Sequence, residues 1–166
     1  SGRPQSTVRA EAAARRVAET IEKTLIGTVT GAAFGTAATY GGTRPQVKGY
    51  TNHGQRITKT DLTASGSFVA DTFVNEVLAM RELAYAQNFF GPFICYVSTA
   101  YDAKLDQDYV TGTAAQGLSS PNSTVRSRTK MIDGITDVRR LDYLTGDVVL
   151  LVQMTPDVVE AINGMN

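Results

Sequence analysis

Histidine, cysteine and tryptophan are nearly absent from this sequence of 166 residues, which has one histidine, one cysteine and no tryptophan. A single cysteine excludes a disulfide framework, which argues against an extracellular domain held by disulfides. A histidine-based metal site or catalytic triad would depend on His53 alone, and we interpret that residue as a solvated side chain in a turn. Cys95 lies inside an apolar run, so we favour a buried core thiol over a reactive site.

The sequence also has no excess of charge of either sign, because 16 basic and 16 acidic residues give a formal net charge of zero. No field over the whole domain would then draw the chain to nucleic acid or to an anionic membrane. Basic residues are concentrated in one place only. We favour a solvated, salt-bridged surface there, with an intersubunit or nucleic-acid contact as the alternative; the residues are Arg126, Arg128, Lys130, Arg139 and Arg140.

Long runs of strongly apolar residues are absent from the twenty uncharged residues between Lys23 and Arg44. Gly27, Gly31 and Gly35 recur there at the four-residue spacing of helix contacts in membranes. Threonine and glycine make up most of the remainder, and a helix of that composition would insert poorly into a bilayer. We therefore interpret the segment as a flexible connector, suited to packing against a neighbouring subunit, and not as a membrane span.

Catalytic motifs are lacking as well. The sequence contains no phosphate-binding loop, no dinucleotide-binding fingerprint and no Glu-x-x-His pair for a di-iron site. We therefore predict no catalytic, cofactor-binding or metal-binding residues and no enzyme activity. One enzymatic alternative stays open, a small α/β enzyme that uses the Val110–Thr124 loop as a lid, although no acid, base and nucleophile converge on it.

The strongest positive signal is an uninterrupted apolar run over Phe93–Val97, which follows a Gly-Pro stop. Its length and bulk predict a strand at the centre of a sheet, buried on both faces. Thr99 is predicted to be the N-cap of the next helix, with Leu105 and Tyr109 on one of its faces. A strand that leads directly into a helix is typical of an α/β layer.

The same design recurs near the end of the sequence. Val148–Val152 is a second apolar strand, and Thr155-Pro156-Asp157 has the residue types that begin a helix. The expected helix carries Val158, Val159 and Ile162 on its apolar face and ends at Gly164. Together the two strand–helix pairs predict one compact α/β layer.

Two long helices are predicted from apolar spacing. The first covers Thr7–Ile26, would be about 30 Å long, and has an apolar stripe made of Ala14, Val17, Ala18, Ile21 and Leu25. The second begins at N-caps Ser65 or Ser67 and continues through Asn88. Its apolar face is predicted to include Ala70, Phe73, Val74, Val77, Met80 and Ala84, widened by Phe68, Leu78 and Leu83.

The remaining elements are shorter. They are a hairpin or ribbon over Gln46–Leu62 with its turn at Asn52-His53-Gly54, a polar loop over Val110–Thr124, a short helix over Val125–Ile132 closed by Gly134, a strand over Val138–Leu144, and a turn at Thr145-Gly146-Asp147.

Taken in order, these segments resemble the major capsid proteins of tailed phages. The resemblance is carried by AAARRVAETIEKTLIG, GPFICYVSTAYDAKL, TVRSRTKMIDGITDVRRLDYL and VVLLVQMTPDVVEAI, and it covers nearly all of residues 7–163. Encapsulin shells, which share that fold, look similar in several of the same segments.

The resemblance implies an α+β chain with the Hong Kong 97-like capsid fold. Residues 1–62 would provide the spine helix and the connector of the peripheral domain, and residues 63–166 the α/β layer of the axial domain. The implied function is structural: pentamers and hexamers of this homo-oligomer would form an icosahedral head around DNA, located in the virion and cytoplasmic during assembly. The alternative is an encapsulin compartment that encloses cargo protein. Neither needs a cofactor or a membrane.

The family also implies contacts between subunits and a longer protein. The Val110–Thr124 loop would face a five-fold or six-fold axis, and the spine helix and glycine connector would meet neighbouring subunits. Because family members have an N-terminal arm, an extended loop and further strands, this chain is expected to be an interior piece. The implied contact residues are Arg15, Arg16, Glu19, Gly27, Gly31, Gly35, Thr113, Gln116, Ser119 and Arg126.

Overall fold

The computed structural model describes residues 5–27, 49–51, 56–59, 62–110 and 119–156. The chain divides into two compact units, Ser1–Arg56 and Ile57–Asn166. Helices occur together with two small sheets, so the chain belongs to the mixed α+β class. The assignment of peripheral and axial domains stays a prediction.

In the first unit, α1 spans Gln5–Ile26 and confirms the predicted first helix. Gly27 follows with a φ of 92°, in the left-handed region where a residue without Cβ ends a helix at little cost. The backbone N–H groups of Tyr50 and Thr51 donate to the last two carbonyls of α1 at 2.9 and 3.0 Å. These bonds satisfy acceptors that a helix leaves open at its C-terminus.

The predicted ribbon over Gln46–Leu62 is wrong where the structure describes it, because residues 49–51 and 56–59 form no strand. Thr51 shows a physical reason. Its N–H and its hydroxyl both donate to the Ile26 carbonyl, at 3.0 and 2.7 Å, so its backbone donor serves the helix end and not a strand partner.

Several other predictions fall outside the described residues. They concern the connector glycines Gly31 and Gly35, the turn at Asn52-His53-Gly54, the loop residues Thr113 and Gln116, and the C-terminal helix from Asp157 to Gly164.

In the second unit, α2 spans Ala70–Ala86 and starts later than predicted. Ser65–Ser67 form a separate 3-10 helix, so neither serine caps α2, and Val69 occupies the N-cap position. The Ser65 N–H donates to a carboxylate oxygen of Asp147 at 3.2 Å, which holds this short turn apart from the helix.

The buried face of α2 is narrower than predicted. Leu78 and Leu83 are 37% and 40% exposed and do not widen it. Asn88 adopts a left-handed φ of 65°, so the helix ends before it. The buried side chains of α2 are Phe73, Val74, Val77 and Ala84.

β1, which spans Phe93–Val97, is the central strand of a three-stranded sheet, as predicted. β4 (Ile135–Arg140) is parallel to β1, and β5 (Val149–Gln153) is antiparallel to it. Only one face of β1 is fully buried: Phe93, Cys95 and Val97 are buried, whereas Ile94 and Tyr96 are half-buried.

The two outer strands are shifted from their predicted positions. β5 lies one residue later than expected, and β4 begins before Val138 and ends well before Leu144. The Leu141 N–H makes the last bond to β1, with the Val97 carbonyl at 3.1 Å, and the Leu144 N–H then donates to the Leu141 carbonyl at 3.1 Å in a turn that buries Leu144.

α3 spans Thr99–Leu105, and Ser98 takes the N-cap position that was predicted for Thr99. The Ser98 hydroxyl donates to the Gly146 carbonyl at 2.5 Å and makes no capping bond. The first turn of α3 is therefore held by a tertiary contact with the turn before β5.

Tyr109 does not continue α3, because it belongs to β2 (Asp108–Val110). β2 pairs antiparallel with β3 (Ser119–Thr124), so the predicted Val110–Thr124 loop is in part a two-stranded sheet. Between these strands, residues 111–118 are outside the described part of the chain.

α4 spans Val125–Lys130 and confirms the predicted short helix. Thr124 and Ser127 form a capping box, in which each side chain bonds the backbone N–H of the other residue, at 3.2 and 2.9 Å.

The rings of Phe68, Phe73 and Tyr101 pack together in the core of the second unit, with centroids 5.4 to 6.1 Å apart.

Candidate functional site

The predicted contact residues of α1 lie on its exposed surface. Nε of Arg15 donates to Oε1 of Glu19, one helical turn later, at 3.3 Å. The Arg15 side chain is 83% exposed, and such an exposed pair contributes at most about 1 kcal/mol. Arg16 is exposed as well. All three residues are therefore accessible to a neighbouring molecule.

The apolar side of α1 is exposed too. Val17, Ile21 and Leu25 are 60%, 64% and 52% exposed. Helical spacing places them with Ala14 and Ala18 on one stripe, which we call the α1 stripe. Because an apolar helix face is normally buried against another element, the α1 stripe is a candidate contact surface.

Two further predicted contact residues are described, and they lie at the ends of elements. Gly27 ends α1, and Ser119 begins β3. Gly31, Gly35, Thr113 and Gln116 lie outside the described residues.

Arg126 belongs to an ion-pair network that joins α3 and α4. Its Nη2 lies 2.8 Å from Oδ1 of Asp102, and its Nε lies 2.9 Å from Oδ1 of Asp106. The same Nη2 also donates to the Asp102 carbonyl at 3.3 Å. Because Asp102 and Asp106 are four residues apart on α3 and its C-cap, the planar guanidinium meets both carboxylates at once.

Arg140 extends this network to the end of β4. Its Nη1 lies 3.0 Å from Oδ2 of Asp102, and its Nε lies 2.8 Å from Oδ1 of Asp142. The hydrogen bond from Arg126, together with that from Arg140, holds the pKa of Asp102 below its usual range, against the opposing effect of partial burial. Asp102 therefore carries its charge at neutral pH and links three elements.

A second network surrounds Asp137 on β4. Lys130 Nζ lies 2.8 Å from one of its carboxylate oxygens, and Arg139 Nε lies 2.7 Å from the other. These hydrogen bonds, with a further one from the Val138 N–H at 2.9 Å, hold the pKa of Asp137 well below its usual range.

Arg128 is the remaining member of the predicted basic concentration. Its guanidinium carbon lies 6.0 Å from the ring centroid of Tyr109, at the outer limit of a cation–π contact. The interpretation of these five basic residues as a salt-bridged surface is confirmed for the four that form ion pairs, which are Arg126, Lys130, Arg139 and Arg140.

Two buried side chains have altered acidity without taking part in these networks. Burial raises the pKa of Cys95 to about 12, so the thiol stays protonated at neutral pH and its assignment to the core is confirmed. Burial also raises the pKa of Tyr101 to about 12, with smaller contributions from the charges of Asp147 and Glu76. The Tyr101 hydroxyl donates to the Thr63 carbonyl at 2.5 Å.

Sequence reasoning missed the acidic partners of the basic residues. Neither Asp102 nor Asp137 was predicted to pair with them. The i, i+4 spacing of Asp102 and Asp106 was an available signal, since it places two carboxylates on one side of a helix. Nothing in the sequence indicated which arginines they would meet.

Within the described ranges, no three His, Cys, Asp or Glu side chains are arranged to hold a metal ion. None of the helices in those ranges combines the length and the apolar character that crossing a bilayer requires. This finding does not extend to residues 28–48, which hold most of the uncharged segment that precedes Arg44.

Comparison with known proteins adds one finding. Neither the search of curated proteins nor the search of solved structures found a match. A family model matches residues 7–166, almost the full length of the chain. The chain therefore belongs to DUF6260, a family of unknown function.

Proposed function

We propose that this chain is a structural shell subunit, the major capsid protein of a tailed phage, with the Hong Kong 97-like fold. It would self-assemble through pentamers and hexamers into an icosahedral head that encloses DNA. Its location would be the virion, after assembly in the cytoplasm. The resemblance of four sequence segments motivates this identity, and the mixed α+β class of the chain is compatible with it.

The exposed α1 stripe is the observation that carries a role in assembly. Three large apolar side chains, Val17, Ile21 and Leu25, are each more than half exposed on one face of a 22-residue helix. Full burial of such a side chain contributes about 1.5–3 kcal/mol. A chain that keeps this face exposed gains stability when another surface covers it, which favours association.

The charge distribution supports the same type of function. In the second unit, Arg126 and Arg140 share the carboxylate of Asp102, and Asp137 pairs with Lys130 and Arg139. These cations are neutralised within the chain and do not converge on a common anion site. Contacts between copies through surfaces are thus better supported than recognition of an anionic ligand.

In this proposal each described element has a mechanical role. The sheet β4–β1–β5 and the ion pairs of Asp102 would hold the axial domain rigid. β2 and β3 lead into residues 111–118, which would face a five-fold or six-fold axis. Each contact between subunits then needs only an ordinary interface area, because symmetry repeats it many times.

The test is electron microscopy of particles from the native source, combined with their absorbance at 260 and 280 nm. Closed shells filled with nucleic acid are expected. Shells filled with protein would instead indicate an encapsulin compartment. A monomer with measurable turnover would overturn the structural function and favour the enzymatic alternative.

A matched pair of variants tests the role of the α1 stripe. Ile21→Asp places a charge on the stripe, and Ala12→Asp places the same charge on the opposite, exposed side of the same helix. We expect Ile21→Asp to abolish particles while leaving helix content unchanged, and Ala12→Asp to assemble. Normal assembly of Ile21→Asp would show that the α1 stripe has no role in assembly and would overturn the proposal.

A further inference from the structure

The two edges of the three-stranded sheet differ in how they are protected. β4 forms one edge and β5 forms the other, with β1 between them. An open edge presents unpaired backbone N–H and C=O groups, and proteins usually block it with charge or with a local cap. Within the described part of the chain, one edge of this sheet has such protection and the other has none.

The β4 edge is protected. Asp137, Arg139 and Arg140 place three charged side chains on a strand of six residues. In addition, Oδ1 of Asp137 accepts a hydrogen bond from the Val138 N–H at 2.9 Å, so the side chain occupies a backbone donor of the strand. A second strand would have to displace this bond and to desolvate the charges.

The hydrogen bonds at both ends of β5 establish which of its groups point outward. The Ser98 N–H donates to the Val148 carbonyl at 3.2 Å, and the Met154 N–H donates to the Pro92 carbonyl at 3.1 Å. In an antiparallel pair the residues alternate between facing the partner and facing away. Residues 148, 150, 152 and 154 thus bond to β1, and the backbone groups of Val149, Leu151 and Gln153 face away from it.

Among residues 5–27, 49–51, 56–59, 62–110 and 119–156, the β5 edge has no comparable protection. Its sequence, VLLVQ, has no charged residue and no proline. Among the residues that the structure describes, the outward N–H and C=O groups of Val149, Leu151 and Gln153 have no backbone partner. Next to this edge Met154 is 43% exposed.

We propose that the β5 edge pairs with the β5 edge of a second copy of this chain, antiparallel and across a two-fold axis at Leu151. The pairing would join two sheets into one continuous sheet of six strands. It rests on the proposed function only in assuming that copies of the chain meet.

The edge is complementary to itself, which favours a second copy over another partner. With the axis at Leu151, Val149 lies opposite Gln153 of the second copy, and each outward N–H meets an outward carbonyl. The ladder would contain about six backbone hydrogen bonds. Because β5 is uncharged, no like charges face each other, and such self-matching is what a two-fold contact between identical subunits requires.

The same register also places Met154 opposite Val148 of the second copy. These two residues form a pair without mutual hydrogen bonds, in which the Cα atoms are about 4.5 Å apart. That separation permits a disulfide. Within one chain the two positions are six residues apart on an extended strand, about 20 Å, so they cannot be joined.

The experiment is oxidation of the full chain carrying Val148→Cys and Met154→Cys together. Cys95 is retained because it is buried. We expect the double variant to convert from monomer to a disulfide-linked dimer on a non-reducing gel. Met154→Cys alone is the matched control and should give only the monomer band on the same gel, since its two thiols in the paired copies would be about 20 Å apart.

Absence of the dimer band in the double variant would overturn the proposal, and so would crosslinking of the single variant, because the register would then be different. If the double variant fails to fold, amide hydrogen exchange of the wild-type chain decides. Exchange at Leu151 should slow as protein concentration rises, and fast exchange in the associated state would overturn the pairing.

Electron microscopy separates this proposal from the proposed function. Shells that form while the double variant stays uncrosslinked would overturn the β5 pairing and leave the shell function in place. Crosslinked dimers that never form shells would support the pairing and overturn the shell function.

Discussion

Asp102 on α3 and Arg140 at the end of β4 are 38 positions apart in the sequence, and their side chains meet at 3.0 Å. Arg126 on α4 binds the other oxygen of the same carboxylate at 2.8 Å. One half-buried carboxylate therefore ties a helix, a second helix and a strand together. This contact has consequences for stability that can be measured.

Asp102→Asn should lower the free energy of unfolding by about 1–3 kcal/mol, because two guanidinium groups lose their charged acceptor. Urea denaturation followed by circular dichroism measures this change. Asp142→Asn removes a more exposed carboxylate from the same Arg140 and is the control, with an expected cost below about 1 kcal/mol. Equal costs for the two variants would contradict the central role of Asp102.

The contribution of Asp102 should also depend on pH. Its folded-state pKa lies below the ordinary value of 3.8, so the stabilisation is fully present above that value and is lost as the pH falls through the lower folded-state pKa. In thermal unfolding at pH 3.8 and below, the wild type should lose stability faster than Asp102→Asn. Parallel pH profiles for the two proteins would refute the assignment.

Gly91→Ala should destabilise the second unit by about 1–3 kcal/mol. Gly91 has a φ of 90°, and a Cβ added there would lie 3.0 Å from Cδ2 of the buried Phe93 ring. Gly66→Ala is the control, because no atom beyond Gly66 and its two chain neighbours lies within 4 Å of the added Cβ. A chemical denaturation midpoint for Gly91→Ala equal to that of Gly66→Ala would show that the approach to β1 tolerates a side chain.

Cys95 should resist thiol reagents in the folded chain. The side chain is fully buried and its pKa is raised to about 12, so at pH 8 native protein should react with an aromatic disulfide reagent only after denaturant is added. The free energy of unfolding should also fall as the pH rises above 9.0, the ordinary pKa of a cysteine thiol, because the Cys95 thiol then ionises in the unfolded chain but not in the folded one. Rapid labelling without denaturant would contradict the central position of β1.

Tyr101→Phe should lower the free energy of unfolding by about 1–3 kcal/mol, because the Thr63 carbonyl loses its hydrogen-bond donor, the Tyr101 hydroxyl. The ring would keep its contacts with Phe68 and Phe73. Tyr96→Phe is the control and should leave the free energy of unfolding nearly unchanged, because Tyr96 is half-buried on the face of β1 opposite Cys95. A neutral result for Tyr101→Phe in urea denaturation would mean that this hydrogen bond contributes nothing.

The elements that could be predicted are those whose signal is local. α1 follows from the spacing of apolar residues along one helix face, β1 and β5 follow from continuous apolar runs, and α4 follows from its neighbouring polar and glycine residues. Burial of Cys95 could be inferred in the same way, because its neighbours along the chain are apolar. The basic residues were also found, as a concentration in the sequence.

Helix ends and strand limits were predicted less well, because distant residues decide them. The Ser98 hydroxyl donates to the Gly146 carbonyl, and the Ser65 N–H donates to the Asp147 carboxylate. Both serines therefore make tertiary contacts at positions where local sequence rules predict helix caps. Tyr109 has helical spacing from Leu105, but it lies in β2, which pairs with β3.

By itself, then, the sequence determined which segments are apolar enough to form the core and which residue types lie at the surface, because spacing and propensity act over a few neighbouring residues. Tertiary packing alone places β1 between one parallel and one antiparallel strand, brings two arginines to Asp102, and leaves the uncharged β5 edge without a backbone partner among the described residues. These relationships join residues that are tens of positions apart, and their partners are selected when the packed core brings them together.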